Sequence, residues 1–262
     1  MWKEPQASFR ARGFSVNTVK LASYVMLIIF MLTMSTMVEA SESNSSVVLI
    51  DPGHSPRSPG ATSCTGIAEY LYNNNLADTV VATLKQHHVS VITTRQNKEN
   101  ISLSDRALAA KGKKLLLSLH HDSVQPQFVN WSNKGKPSSA KAQGYSIFIS
   151  RKNAFYPQSR TYARKLGTAL LRRGLIPTLH HAEKIAGENR QLIDSKRGIY
   201  IFDNLYVLSK SDAPAVLLEA AVIVNPKDEV QASSKAYRKR IADAILEMMV
   251  STNTKIVKGH YR

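Results

Sequence analysis

Val47-Val48-Leu49-Ile50, followed at once by Asp51-Pro52-Gly53-His54, is the stretch that decides the fold. The apolar run is too short for a helix and is closed by a Pro-Gly turn. It therefore reads as a buried strand whose end delivers a histidine. Two later runs end the same way. Leu115-Leu116-Leu117-Ser118-Leu119 leads into His120, and Ala215-Val216-Leu217-Leu218 leads into Glu219. Helical patterns lie between them. Residues 69–87 put Leu71, Leu76, Val80 and Leu84 roughly on one face. A helix over residues 102–111 opens on a capping serine, Ser102 or Ser104. Amphipathic helices are expected over 159–173 and 234–250. Further strands are expected over 89–93 and 145–150, with a short irregular one in the segment 199–207, near 205–208. Residues 124–143 and 175–196 read as loop. This alternation predicts a single α/β domain with a mainly parallel twisted central sheet flanked by helices. In such sheets the ligand site lies at the carboxyl ends of the strands, where His54, His120 and Glu219 fall.

The chain has 262 residues and a formal net charge of +16. Residues 1–40 carry four basic and two acidic side chains, so most of the excess lies beyond them. A cationic surface suits nucleic acid, anionic lipid or an anionic polymer such as cell wall. The basic residues are scattered, as in Lys111-Gly112-Lys113-Lys114 and Arg238-Lys239-Arg240, with no aromatic-interleaved stripe, which argues against nucleic acid as a partner. The single Cys64 excludes an intramolecular disulfide and a Cys-rich zinc cluster. Residues 21–37 are uncharged, preceded by Lys3, Arg10, Arg12 and Lys20 and followed by Val38-Glu39-Ala40. That pattern reads as a secretory signal cleaved after Ala40, the alternative being a short uncleaved anchor. Either places residues 41–250 outside the cytoplasm, periplasmic or secreted, followed by a basic tail over 251–262. A membrane partner is expected only if the leading segment stays uncleaved.

His54, His120 and one carboxylate would make a His₂Glu set, a donor combination that holds catalytic zinc with one position open. Glu69 is the best candidate carboxylate, since it follows the loop after His54 and opens a helix; the plainer reading is a favourable charge at a helix N-terminus. His54 alone reads equally as a loop histidine. His120 competes with His121, because strand alternation sends only one of them toward the site. Glu219 ends a buried run, where an unpaired carboxylate is costly, and suits a general base or acid. The alternative is an ion pair with Arg95 or Arg106.

The order of motifs is informative beyond any one of them. It runs Asp51-Pro52-Gly53-His54, Gly66, Glu69 with Asn73, Thr94-Arg95, Leu103-Ser104-Asp105-Arg106, Ser118-Leu119-His120-His121-Asp122, then Pro214 to Glu219 followed by Asn225-Pro226. Across about residues 47–250 it resembles the zinc-dependent N-acetylmuramoyl-L-alanine amidases of bacterial cell-wall turnover. The resemblance implies one Zn²⁺ ion held by His54, Glu69 and His120, choosing His120 over His121. It implies Glu219 as the catalytic residue. It implies hydrolysis of the amide between N-acetylmuramic acid and L-alanine in peptidoglycan, by a monomer, with a protein activator in some members. The competing functions are another zinc amide hydrolase, peptidase or deacetylase, and a non-catalytic wall-binding regulator. The chain departs from the family pattern at His121, where a small residue is common, at Asp122, where Asn is usual, and at Ala220-Ala221-Val222.

Other polar features carry weaker signals. His180-His181-Ala182-Glu183 reads as plain surface, with groove lining and a second metal site as alternatives. Glu183 and Glu188 are the candidates for an acidic plug over the zinc, which the chain is expected to lack. Cys64 reads as a bystander, and Trp131 as a possible sugar-stacking ring. Arg95 and Arg106 are expected to support the sheet's end through ion pairs.

Overall fold

Seven strands hydrogen-bond in the order β2-β1-β3-β9-β6-β8-β7. In chain order they are β1 Val48–Pro52, β2 Val91–Thr93, β3 Leu115–Asp122, β6 Ser146–Ile149, β7 Gln191–Asp194, β8 Ile199–Ile201 and β9 Ala215–Val222. A separate two-stranded ribbon joins β4 (Asn130–Trp131) and β5 (Pro137–Ser138). Four of the six neighbouring pairs in the large sheet are parallel; β6 against β9 and β7 against β8 are antiparallel. The sheet is thus mixed and mainly parallel. This is a computed structural model, and it describes residues 46–95 and 100–253. The signal segment expected over residues 1–40 lies outside the described residues, as does the tail from 254. No helix among the described residues is long and apolar enough to cross a membrane.

The helices are α1 Glu69–Gln86, α2 Leu103–Ala109, α3 Tyr156–Arg172, α4 Tyr206–Lys210, α5 Pro226–Ser233 and α6 Lys235–Asn253. Period-two alternation sorts the strand residues onto two faces. Val48, Ile50, Leu115, Leu117 and Leu119 join the larger core cluster with α1, α3 and α6. Leu49, Leu116, Ala215 and Leu217 join a smaller one with Leu208 of α4. Three long helices therefore seal one face, while the other is covered thinly by α2 and α4. The thin cover leaves the strand ends beyond it open, and this is where the site forms.

Several elements differ from the sequence expectations. The short strand expected in the segment 199–207 is β8 at Ile199–Ile201, while residues 205–208 lie in α4 and its approach; the short apolar run Val207-Leu208 fits either period. Residues 175–196, expected as loop, hold a 3₁₀ turn at His180–Ala182 and strand β7. The edge strand β7 is only four residues long, too short to alternate visibly. Helix α5 was not anticipated, although Asn225 caps it by accepting from the Lys227 N–H at 2.9 Å and Pro226 occupies its first turn. Ser102, not Ser104, caps α2, accepting from the Asp105 N–H at 3.1 Å. Helix α6 continues through Asn253, into the segment expected to be tail.

Candidate metal centre

Parallel register brings the three strand ends together. Asp51 pairs with Ser118, Pro52 with Leu119, and His120 with Glu219. Ser118 and His120 share the open face with Leu217 and Glu219. His54, Ser118, His120 and Glu219 line one cavity of about 590 Å³, closed on its far side by Leu205 and Tyr206.

His54 stands just past β1 with φ of +61°, a left-handed conformation that costs a non-glycine residue free energy. Two arginines hold it there. Arg95 donates to the carbonyls of Gly53 at 3.0 Å and His54 at 2.7 Å. Arg106 donates to those of Pro52 at 2.8 Å and His54 at 2.7 Å. Arg106 also pairs with buried Asp51 at 3.2 Å, and Asp51 accepts from Thr94 and Ser118 at 2.8 Å each. The expected ion-pair support is therefore present for Arg106, while Arg95 acts through backbone carbonyls.

Glu69 opens α1 because residues 59–61 fold back onto that end. Its N–H donates to the Ala61 carbonyl at 2.8 Å, and its Oε2 accepts from the Ala61 N–H at 2.9 Å. Oε2 lies 3.1 Å from His54 Nε2, and Oε1 lies 3.1 Å from His120 Nδ1. The two imidazoles meet edge to face, centroids 4.9 Å apart. Burial pushes the Glu69 carboxyl up, but hydrogen bonds and charge from His120 and then His54 outweigh it and hold the group well below the usual carboxylate range.

His121 points the other way. It is buried against Tyr72, with Nδ1 2.8 Å from Asn73 Oδ1, and burial lowers its pKa to about 4. Asn73 in turn donates to Glu69 Oε1 at 3.0 Å and to the Gly53 carbonyl at 3.1 Å. One amide one turn beyond Glu69 thus ties Glu69, His121 and the β1 turn together. The i, i+4 spacing from Glu69 was a signal available in the sequence.

Glu219 faces the cavity, yet its Oε2 is buried and no described residue hydrogen-bonds to it. Burial, then the charges of Asp122 and Glu69, push its carboxyl well above the usual range. The alternative of an ion pair with Arg95 or Arg106 does not form; those guanidiniums are committed to β1.

The donor set suits zinc. Two imidazoles and a carboxylate converge, His54 Nε2 and His120 Nδ1 each lying 3.1 Å from a different oxygen of Glu69, and this is the His₂Glu donor combination of catalytic zinc. Glycines make room for the rings. A Cβ on Gly53 would fall 2.5 Å from His120 Nδ1, and one on Gly60 would fall 2.7 Å from His54 Cδ2. Cys64 is not among these groups; it donates to Glu229 at 3.5 Å. The expected plug candidates are also elsewhere. Glu183 pairs with Lys141 at 2.9 Å, and Glu188 with His181 at 2.9 Å. Trp131 is exposed, on β4.

His180 and His181 are buried, not the plain surface expected of them. They converge on Asp122 in a second group of potential ligands that the sequence reading did not assemble, because Asp122 is contributed from β3.

The fold is a single α/β domain that carries a possible metal-binding group of two histidines and a glutamate at its strand ends. Residues 48–251 match the family model Amidase_3, N-acetylmuramoyl-L-alanine amidase, and the chain belongs to that family. Among curated proteins it is 27% identical over 202 residues to the probable cell wall amidase LytH of Staphylococcus saprophyticus, covering 76% of this chain and 56% of that protein. It is 27% identical over 229 residues to the probable N-acetylmuramoyl-L-alanine amidase AmiB of Haemophilus influenzae, covering 78% and 51%. The chain spans about half the length of these curated relatives. The crystal structure of N-acetylmuramoyl-L-alanine amidase from Clostridium difficile 630 shares the fold, with a TM-score of 0.62, 23% identity, and coverage of 82% of this chain and all of that one.

Proposed function

We propose that this protein hydrolyses the amide between N-acetylmuramic acid and L-alanine in peptidoglycan, with Zn²⁺ held by His54, Glu69 and His120. One observation carries the reading. Glu219, with its raised pKa, stands in register beside His120 and lines the same cavity as His54 and His120. Zinc bound there supplies Lewis acidity, lowering the pKa of a water toward neutrality and polarising the scissile carbonyl. Glu219 takes the proton of the attacking water and passes it to the leaving nitrogen of L-alanine. A carboxyl pushed upward by burial accepts that proton readily and releases it to an amine more basic than itself. Asn73 fixes the Glu69 carboxylate, and Arg95 and Arg106 hold the strained His54 backbone. The products are intact glycan and a free stem peptide.

A signal segment over residues 1–40, a catalytic domain from 41 through the end of α6 at Asn253, and a basic tail after it complete the proposal. They place a monomer at the wall outside the cytoplasm, its cationic surface suited to an anionic polymer. An activator, where one acts, would not need to displace Glu183 or Glu188, whose carboxylates are engaged away from the His54 group. The test is zinc analysis together with digestion of purified peptidoglycan. The expected products carry a free L-alanine amino terminus and uncut glycan. Release of an internal peptide amine or of acetate instead would overturn the substrate assignment, and full activity of Glu219→Ala would overturn the role of Glu219.

A further inference from the structure

Beyond the His54 group, the loop after α3 folds back against the end of β3. Asp122 lies past a bulge in the β3–β9 register, where His120 pairs with Glu219 and Asp122 with Val222. Its Oδ2 lies 2.8 Å from His181 Nε2 and 3.5 Å from His180 Nε2. Both rings are tied at their other nitrogen. His181 Nδ1 meets Glu188 Oε2 at 2.9 Å, and His180 Nδ1 meets Thr178 Oγ1 at 2.8 Å. Glu188 is itself held by Gln125 Nε2 at 2.9 Å. The two imidazoles lie against each other, centroids 3.9 Å apart, and Phe148 packs on the edge of His181.

Two observations point to a ligand site. His180 is only 7% exposed, yet its Nε2 is buried without a hydrogen-bond partner among the described residues. Leaving a buried imidazole nitrogen unmatched is unfavourable, so such an atom calls for an explanation. Second, each histidine has its Nδ1 anchored to an oxygen, so that both Nε2 atoms are presented to one carboxylate oxygen. That outer arrangement is how proteins orient imidazoles on a metal. The separations from Oδ2, 2.8 and 3.5 Å, bracket the roughly 3.3 Å edge of a tetrahedral zinc site.

We propose that Asp122, His180 and His181 form a second binding site for a divalent transition metal of the zinc class. Asp122 Oδ2 and the two Nε2 atoms supply three ligands, and Thr178 and Glu188 fix the rings. Imidazole donors favour zinc over magnesium or calcium, which take oxygen ligands. A neighbouring cavity of about 250 Å³, lined by Asp122, His181, Glu188 and Glu219, leaves a fourth position accessible to a water or to a substrate oxygen. The site shares no residue with the His54 group, and its existence does not depend on that group binding zinc.

The experiment counts zinc in the tag-free full chain. Protein stripped with chelator is titrated with Zn²⁺ calorimetrically and assayed by elemental analysis after desalting. Two equivalents per chain are expected for the wild type, one for His180→Ala and one for His54→Ala. The wild-type count stands even if a variant fails to fold. Cobalt titration of His54→Ala is the second measure: visible bands of four-coordinate Co²⁺ are expected there, and their loss in the His54→Ala/His180→Ala double variant. One equivalent in the wild type that disappears with His54→Ala would overturn the second site, leaving His181 as a proton-bridged link between Asp122 and Glu188. One equivalent that survives His54→Ala but not His180→Ala would uphold this site and overturn the His54 reading.

Discussion

Gly53→Ala tests the site without touching a ligand. Position 53 has no need of a glycine conformation, so the substitution acts through space alone. An added methyl would stand 2.5 Å from His120 Nδ1 and closer still to Nε2 and Cε1. Ordinary contact needs about 3.5 Å, so something must yield by about 1 Å. The backbone is held on three sides. Its N–H donates to the Leu119 carbonyl at 2.8 Å, and its carbonyl accepts from Asn73 at 3.1 Å and Arg95 at 3.0 Å. The His120 ring, partly exposed at the cavity, is the softer partner and swings away. Zinc sites tolerate displacements of about 0.2 Å, so a shift of this size removes His120 as a ligand. Misplacing supporting groups already costs 10–100-fold in affinity; losing a ligand should exceed about 100-fold, or roughly 2.7 kcal/mol. Zinc affinity measured by chelator competition should fall accordingly, with far-UV circular dichroism unchanged. Zinc affinity within about threefold of wild type would refute the placement of His120 on the metal.

Glu219→Gln should lower kcat by about 10²–10⁴-fold, the usual span of a general base, measured by release of L-alanine amino termini. In chelated protein the same change should raise the melting temperature at neutral pH. The folded-state pKa of Glu219 is raised, so its contribution to stability falls as pH climbs above the unfolded value, and the amide removes that dependence; a variant that melts with the wild-type pH profile would sink this. Glu229 behaves oppositely. Burial pushes its carboxyl up, but hydrogen bonds from Thr65, Tyr72, Cys64 and Ser63 outweigh that and hold it low. Its stabilisation is present above the unfolded pKa of about 4.5 and is lost as pH falls through the lower folded value, so Glu229→Gln should flatten the acid limb of a melting-temperature profile below that unfolded value. Leu117→Ala, fully buried in β3, should cost about 2–5 kcal/mol in denaturant titration. A loss under 1 kcal/mol would mean that the β1–β3–β9 core is not packed as described.

Strands that end in ionisable residues were visible in the chain because a buried parallel strand must be apolar for four or five residues and then stop. That pattern by itself determined β1, β3 and β9, the class of fold, and which end carries the site. It also named His54, His120 and Glu219 as candidates, while Glu69 was suggested by its place at the start of the helix after the His54 loop. It could not choose between His120 and His121 without a resemblance, since both satisfy the spacing; the pleat decided, sending His121 to Tyr72 and Asn73. It read residues 180–183 as surface, because a short polar run carries no period. Only the tertiary structure brought Asp122 across from β3 to meet His180 and His181, and turned Arg95 and Arg106 toward the carbonyls of β1. Local sequence sets which residues a strand buries and where it ends. Which side chains from distant segments share a point in space depends on register, pleat and the return path of loops, and those are settled only when the whole sheet packs.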